Sequence, residues 1–203
     1  MNRELRWRII ILQVVMVVVL GAGAGLAFWG NSFTNSQIQA QLEPQQIFLP
    51  KGPQLESTIK EINEKHTDLV PYIGALRQYE GQQVLNGEQA HTFAQAYLGV
   101  HIRDIDNGKP YSVLSSEARA EKDPALKAEK DANVQTAFRG EMLRATLNQA
   151  WAFSIFGTVA LYAGFGLILA TLVVVGTLVF EMVFAPKRAE EAARTPSLAT
   201  SRA

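Results

Sequence analysis

Three histidines, His66, His91 and His101, are the side chains of this 203-residue chain suited to act as bases near neutral pH or to offer nitrogen to a metal. Glu88 and His91 form a Glu-x-x-His pair, the i, i+3 spacing that carboxylate-bridged di-iron bundles use, and His101 and Asp104 repeat that spacing in reverse. A di-iron centre needs two such pairs in the same sense plus two further glutamates. His91 and His101, ten residues apart, point about 80° away from each other around one helix. What stays formally open is a two-histidine, one-carboxylate iron site from His66, His91 and Glu88. The competing reading, hydrogen-bonded or exposed histidines, is the one expected, with no catalytic residue, no metal and no cofactor. The absence of cysteine excludes disulfides, iron–sulfur clusters, thiolate zinc sites and cysteine nucleophiles. There is no Gly-x-Ser-x-Gly elbow, phosphate-binding glycine loop or His-Glu-x-x-His motif.

The elements that carry these residues follow from the charge distribution. Lys+Arg and Asp+Glu both number 19, so the formal net charge is zero. Residues 9–29 and 151–184 nevertheless contain no Lys or Arg and a single acid, Glu181. At about 1.5 Å per residue the first segment covers the ~30 Å hydrocarbon core of a bilayer, and Trp7 and Trp29 bracket it like an interfacial belt. A cleavable signal peptide is the rival, with Ala22, Gly23 and Ala24 as the small-residue cleavage site; continued apolar character through Trp29 favours a retained anchor. The second segment would measure about 51 Å as a helix, too long for a tilted span alone. Counting about 20 residues back from Pro186 puts the outer boundary near Phe165, so residues 151–162 rise beyond the hydrocarbon and need cover.

Residues 1–8 and 185–203 each carry a net +2, and residues 30–150 a net −3. No Lys or Arg occurs between Gly30 and Pro50, and Arg139 and Arg144 precede the second span. By the positive-inside rule, both termini are expected in the cytoplasm of a two-span cell-membrane protein, with residues 30–150 outside. The acidic balance of that domain argues against nucleic-acid binding. Residues 31–46 read as a surface connector or an extension of the first helix. Leu55, Ile59, Ile62, His66 and Leu69 recur at helical spacing up to Pro71, and a shorter helix follows through Ile73, Leu76 and Tyr79. Asn86 and Gln89 form a capping box, after which Ala90, Phe93, Ala94, Tyr97, Leu98 and His101 make one stripe. A turn at residues 106–110, a helix at 111–120 and a last helix from Asp123 into the membrane complete an all-α domain without strands. Residues 185–203 read as a disordered cytoplasmic tail, and Thr195-Pro196 within it as a phosphorylation motif expected by chance.

Gly21 and Gly25, a small-x-x-x-small pair, are expected to let the first span approach Gly166 and Ala170 of the second, with Gly164 nearby. Glu181 lies about one turn from Pro186, where it can reach interfacial water or pair with Arg8, Lys187 or Arg188; a proton- or ion-handling role is the alternative. Arg139 and Arg144 are candidates for headgroup or acidic-partner contacts, and Trp151 for interfacial anchoring or an interface.

At residues 87–98 (GEQAHTFAQAYL), 108–115 (GKPYSVLS) and above all 136–151 (TAFRGEMLRATLNQAW), the chain resembles a group of actinobacterial two-span membrane proteins. The resemblance covers most of residues 45–184. It implies an uncleaved first span and a helical domain between two spans, and no settled activity; some members carry the name aromatic ring-opening dioxygenase, which would require a metal site. The resulting expectation is a non-enzymatic integral membrane protein, an accessory subunit of a cell-envelope complex, with the lipid bilayer and another membrane protein or itself as partners. A metal-dependent, ring-opening dioxygenase-like enzyme and a membrane-anchored sensor are the alternatives.

Overall fold

The computed structural model describes residues 3–184, and these form helices, short 3-10 and π turns, and a single isolated bridge between Phe48 and Gln83. The expected tail, with Thr195, Lys187 and Arg188, lies outside the described residues. Two helices are long and apolar enough to cross a membrane: α1, Arg3–Leu42, and α7, Pro124–Val179. The chain divides into two compact units, one made of residues 1–31 and 158–203, the other of residues 32–157.

In the first unit the apolar parts of α1 and α7 pair antiparallel. Along α1 the covered positions include Arg6, Ile10, Gln13, Val17, Leu20, Ala24 and Phe28; along α7 they include Gly164, Leu167, Thr171, Val174, Leu178 and Glu181. Steps of three and four residues keep one seam facing its partner, as in knobs-into-holes packing. Gly164 is where the helices come closest, with the Phe28 ring lying where a Cβ would reach to within 3.1 Å, and Phe28 meets Phe165 edge-on at 5.3 Å. Gly23 sits against Leu167. Gln13 Nε2 donates to Thr177 Oγ1 at 3.3 Å, and Arg6 Nη2 donates to the Glu181 carbonyl at 2.7 Å. The expected use of Gly21, Gly25 and Gly166 is corrected here: a Cβ on any of the three would meet open space. The seam passes through Leu20 and Ala24, and one residue further on is about 100° around the helix. Ala170 is partly covered, and Arg6 rather than Arg8 reaches Glu181, through its backbone carbonyl.

The second unit folds around Ile38 and Leu42 of α1, Leu55, Ile59 and Ile62 of α2 (Pro53–Lys65), Leu76 of α3 (Ile73–Gln78), Ala90 of α4 (Gly87–Thr92), Val100 of α5 (Leu98–Arg103) and Leu147 of α7. A smaller cluster joins Leu114 and Ala118 of α6 (Tyr111–Ala120) to Ala137 of α7. Of the two readings of residues 31–46, the extension of α1 is observed, because no breaker precedes Pro44 and the i, i+4 pair Ile38 and Leu42 is buried. Asn86 Oδ1 accepts from Gln89 N at 2.9 Å, and Gln89 Oε1 reaches back to Leu85 N at 2.9 Å. Asp123 Oδ1 accepts from the amides of Ala125 and Leu126, starting α7 with Pro124 in its first turn.

Two expectations about helix extent are corrected. Helix α2 stops at Lys65, before Pro71, because His66 leaves helical geometry at φ −128°, ψ 54°. Residues Thr67–Tyr72 form a 3-10 turn instead, leaving His66 as the α2 cap. The stripe from Ala90 to His101 is interrupted by a π turn, Phe93–Tyr97, which resets the helical phase. Ala96 and Val100 therefore enter the core while His101 faces outward and hydrogen-bonds the Tyr97 carbonyl at 2.8 Å.

Gly164→Leu should overpack the seam against Phe28 and destabilise the chain by about 1–3 kcal/mol, whereas Gly21→Leu and Gly25→Leu should change it by less than about 0.5 kcal/mol. Unfolding midpoints in detergent check this; equal losses at Gly21 and Gly164 would contradict the assigned seam.

Candidate functional site

Residues 144–157 of α7 present two different surfaces in the second unit. On one, Leu147, Asn148, Trp151 and Ser154 follow at helical spacing and pack on the start of α4. Gly87 makes this possible: a Cβ there would overlap Ser154 Oγ and Cβ and lie 3.1 Å from Trp151 Cα. The α4 backbone thus rests against the α7 backbone, and His91, one turn further, stacks on Trp151 with ring centroids 4.1 Å apart and 18° between planes.

A chain of polar groups runs along this seam. Asn148 Oδ1 accepts from His91 Nδ1 at 3.1 Å and from Gln95 Nε2 at 3.0 Å, and Gln95 Oε1 accepts from Arg144 Nη2 at 2.8 Å. With Nδ1 as donor, His91 Nε2 is the acceptor side and faces the Tyr72 hydroxyl at 3.5 Å. Glu141 lies 3.7 Å from Arg144. Each of these side chains has at least one partner, although Arg144 Nε is buried without one. The arrangement holds α4 to α7; it leaves His91 no open nitrogen for a substrate.

The opposite surface is apolar and open. Phe153 and Phe156, whose rings meet edge-on at 6.3 Å, are 52% and 68% exposed. Beside them a groove of about 440 Å³ runs between α7, at Thr146, Gln149, Ala150 and Phe153, and α1, at Phe33, Thr34, Gln37, Ile38, Gln41 and Leu42. A second exposed set, Tyr111, Phe138 and Met142, lies where α6 meets α7, with the two rings 5.6 Å apart.

The residues singled out in the sequence are accordingly dispersed. His66, His91 and Glu88 do not assemble into the formally possible iron site. His66 instead approaches Glu61 and Asp104, His91 belongs to the α4–α7 seam, and Glu88 is exposed on the first turn of α4. Trp151, expected as an interfacial anchor or interface residue, is committed to His91. Arg144, expected to meet headgroups or an acidic partner, is committed to Gln95 and Glu141; Arg139 is exposed. Sequence reasoning missed Gly87, Asn148 and Gln95. Gly87 reads as an ordinary helix start, and only the approach of α7 gives it a second role.

Near His66, Arg103 Nη1 donates to Asp68 Oδ1 at 2.8 Å and ties the end of α5 to the 3-10 turn. The guanidinium holds the Asp68 carboxyl below its ordinary value, burial opposing it slightly. A carboxylate whose folded-state pKa is lowered stabilises fully above its unfolded value of about 4, and that contribution is lost as pH falls through the lower folded-state pKa. Arg103→Gln should therefore lower the unfolding midpoint near pH 7 and lose its effect progressively below about pH 4. A constant difference across that range would contradict the pairing.

Gly87→Ala should destabilise the chain by about 1–3 kcal/mol through overlap with Ser154, and Ser154→Gly in the same chain should recover part of it. A double-mutant cycle on unfolding midpoints reads the coupling, and strict additivity would contradict the contact. Comparison with family models, curated proteins and solved structures returned no match.

Proposed function

We propose that the chain is a two-span membrane protein with both termini in the cytoplasm and residues 32–157 on the outer side, acting as an accessory subunit that binds another membrane protein. The observation that carries this reading is the exposed aromatic ridge of Phe153 and Phe156 on a helix whose other face, at Trp151 and Ser154, is already covered. Contiguous exposed aromatics of this kind mark association surfaces, and aromatic side chains supply large apolar area at low conformational cost.

Chain order supports a protein partner for the ridge. The helix pairing matches Arg6 with Glu181, Gln13 with Thr177 and Phe28 with Phe165. The apolar stretch 9–29 is thus matched by α7 residues from about Phe165 onward, close to the ~20 residues that fill a bilayer. Residues 151–162 precede that stretch and remain apolar. Outside hydrocarbon, such a surface is stable only when another apolar surface covers it. The basic residues of the termini and the lack of Lys or Arg between Gly30 and Pro50 support the orientation. The seam residues are occupied by one another, which favours a binding role over catalysis at His91.

A photo-crosslinking amino acid at Phe156 should give, in intact membranes, one discrete protein adduct, either with a second copy of the chain or with another membrane protein. The same probe at Leu172, 61% exposed within the apolar stretch, should label lipid. Lipid labelling alone at both positions would overturn the reading.

A further inference from the structure

A second constellation lies away from the α4–α7 seam, where the C-terminal ends of α2 and α5 converge. Glu61 is on the last turns of α2, His66 caps that helix, and Asp104 caps α5. One ligand atom from each, a histidine nitrogen and two carboxylate oxygens, falls within 4.8 Å of the others. His66 Nε2 stands 3.8 Å from Asp104 Oδ1, too far for a hydrogen bond, and is fully buried with no partner. A buried ring nitrogen left unpaired beside two carboxylates costs stability unless something sits between them.

The backbone holds the three groups in place. His66 N donates to Ile62 O at 3.0 Å, Leu69 N donates to His66 O at 2.8 Å, and Asp104 N donates to Val100 O at 3.1 Å. The Arg103–Asp68 pair ties the end of α5 to the 3-10 turn that follows His66. Two helix C-termini add partial negative charge, which favours a cation in the last turn.

From this geometry we infer that Glu61, His66 and Asp104 bind one divalent transition-metal ion, with Zn²⁺ the best-matched probe and water completing the coordination. One imidazole and two carboxylates form a donor set that suits zinc and neutralises its charge. Metal–ligand distances of about 2.0–2.2 Å in tetrahedral geometry put ligand atoms about 3.3 Å apart. The 3.8 Å between His66 and Asp104 needs a contraction of about 0.5 Å, and a pair at the 4.8 Å limit about 1.5 Å, which side-chain rotation supplies. The ion would clip α2 to α5, stabilising the second unit by mass action. Lys65 is the competitor in place: its Nζ lies 2.7 Å from Glu61 Oε1, and it is 60% exposed and free to swing away. The site is independent of the partner-docking ridge, so either proposal can fail alone.

Zn²⁺ titration of the full chain in detergent, followed by calorimetry and by thermal unfolding, tests the inference. The expected result is one saturable site per chain and a raised unfolding midpoint. His66→Ala and Asp104→Asn should weaken binding by about tenfold or more, Lys65→Gln should tighten it several-fold, and His101→Ala should leave it unchanged. Co²⁺ should give the visible absorption of tetrahedral coordination, lost in Asp104→Asn while helicity by circular dichroism is kept. If His66→Ala fails to fold, the Asp104 and Lys65 variants and the Co²⁺ spectrum decide. No saturable binding, or binding indifferent to His66, Asp104 and Lys65, would overturn the site.

Discussion

The second unit depends on the absence of one methyl group. Because Gly87 has no Cβ, α4 begins in contact with the α7 backbone at Trp151 and Ser154. That approach sets the distance at which His91 stacks on Trp151 and its Nδ1 reaches Asn148. From this seam Leu147 extends into the core shared with α1, α2 and α3. An alanine at residue 87 would push the two helices apart and lengthen every polar contact along the seam at once, because interiors packed at this density transmit displacement.

The same constraint divides α7 into a committed surface and an open one. Trp151 and Arg144 are side chains a sequence reader would assign to lipid or partner, yet they satisfy groups of their own unit. The surface left over presents the rings of Phe153 and Phe156, 52% and 68% exposed. In the first unit the logic differs. There the outward surfaces of α1 and α7 are mainly apolar, and association rests on packing at Gly164 and Gly23 with a few hydrogen bonds such as Gln13 to Thr177.

Much of the fold was legible where local chemistry decides it. The Asn86–Gln89 cap, the Asp123 start of α7, helix α6 and the two long apolar segments follow from short-range rules about capping, proline and apolar length. Legibility ended where distant elements decide. Helix α2 breaks at His66, a turn earlier than its apolar periodicity implied, and the π turn at Phe93–Tyr97 moved His101 to the surface. Both helix-pair glycines in use, Gly23 and Gly164, were visible as small residues, but choosing them over Gly21, Gly25 and Gly166 needs the azimuth of the seam. The Glu61, His66 and Asp104 constellation joins residues up to 43 positions apart, and no local spacing announces it.

The central claim is that the Phe153–Phe156 surface is covered by protein in the membrane. The chain contains no cysteine, so single cysteines at Phe153 and Phe156 can be probed on an unlabelled background. In intact membranes both are expected to resist a water-soluble maleimide and a lipid-soluble one alike, and both to react after a strong detergent separates the complex. Rapid labelling by the lipid-soluble reagent in intact membranes, at the rate of a cysteine placed at Leu172, would contradict the claim.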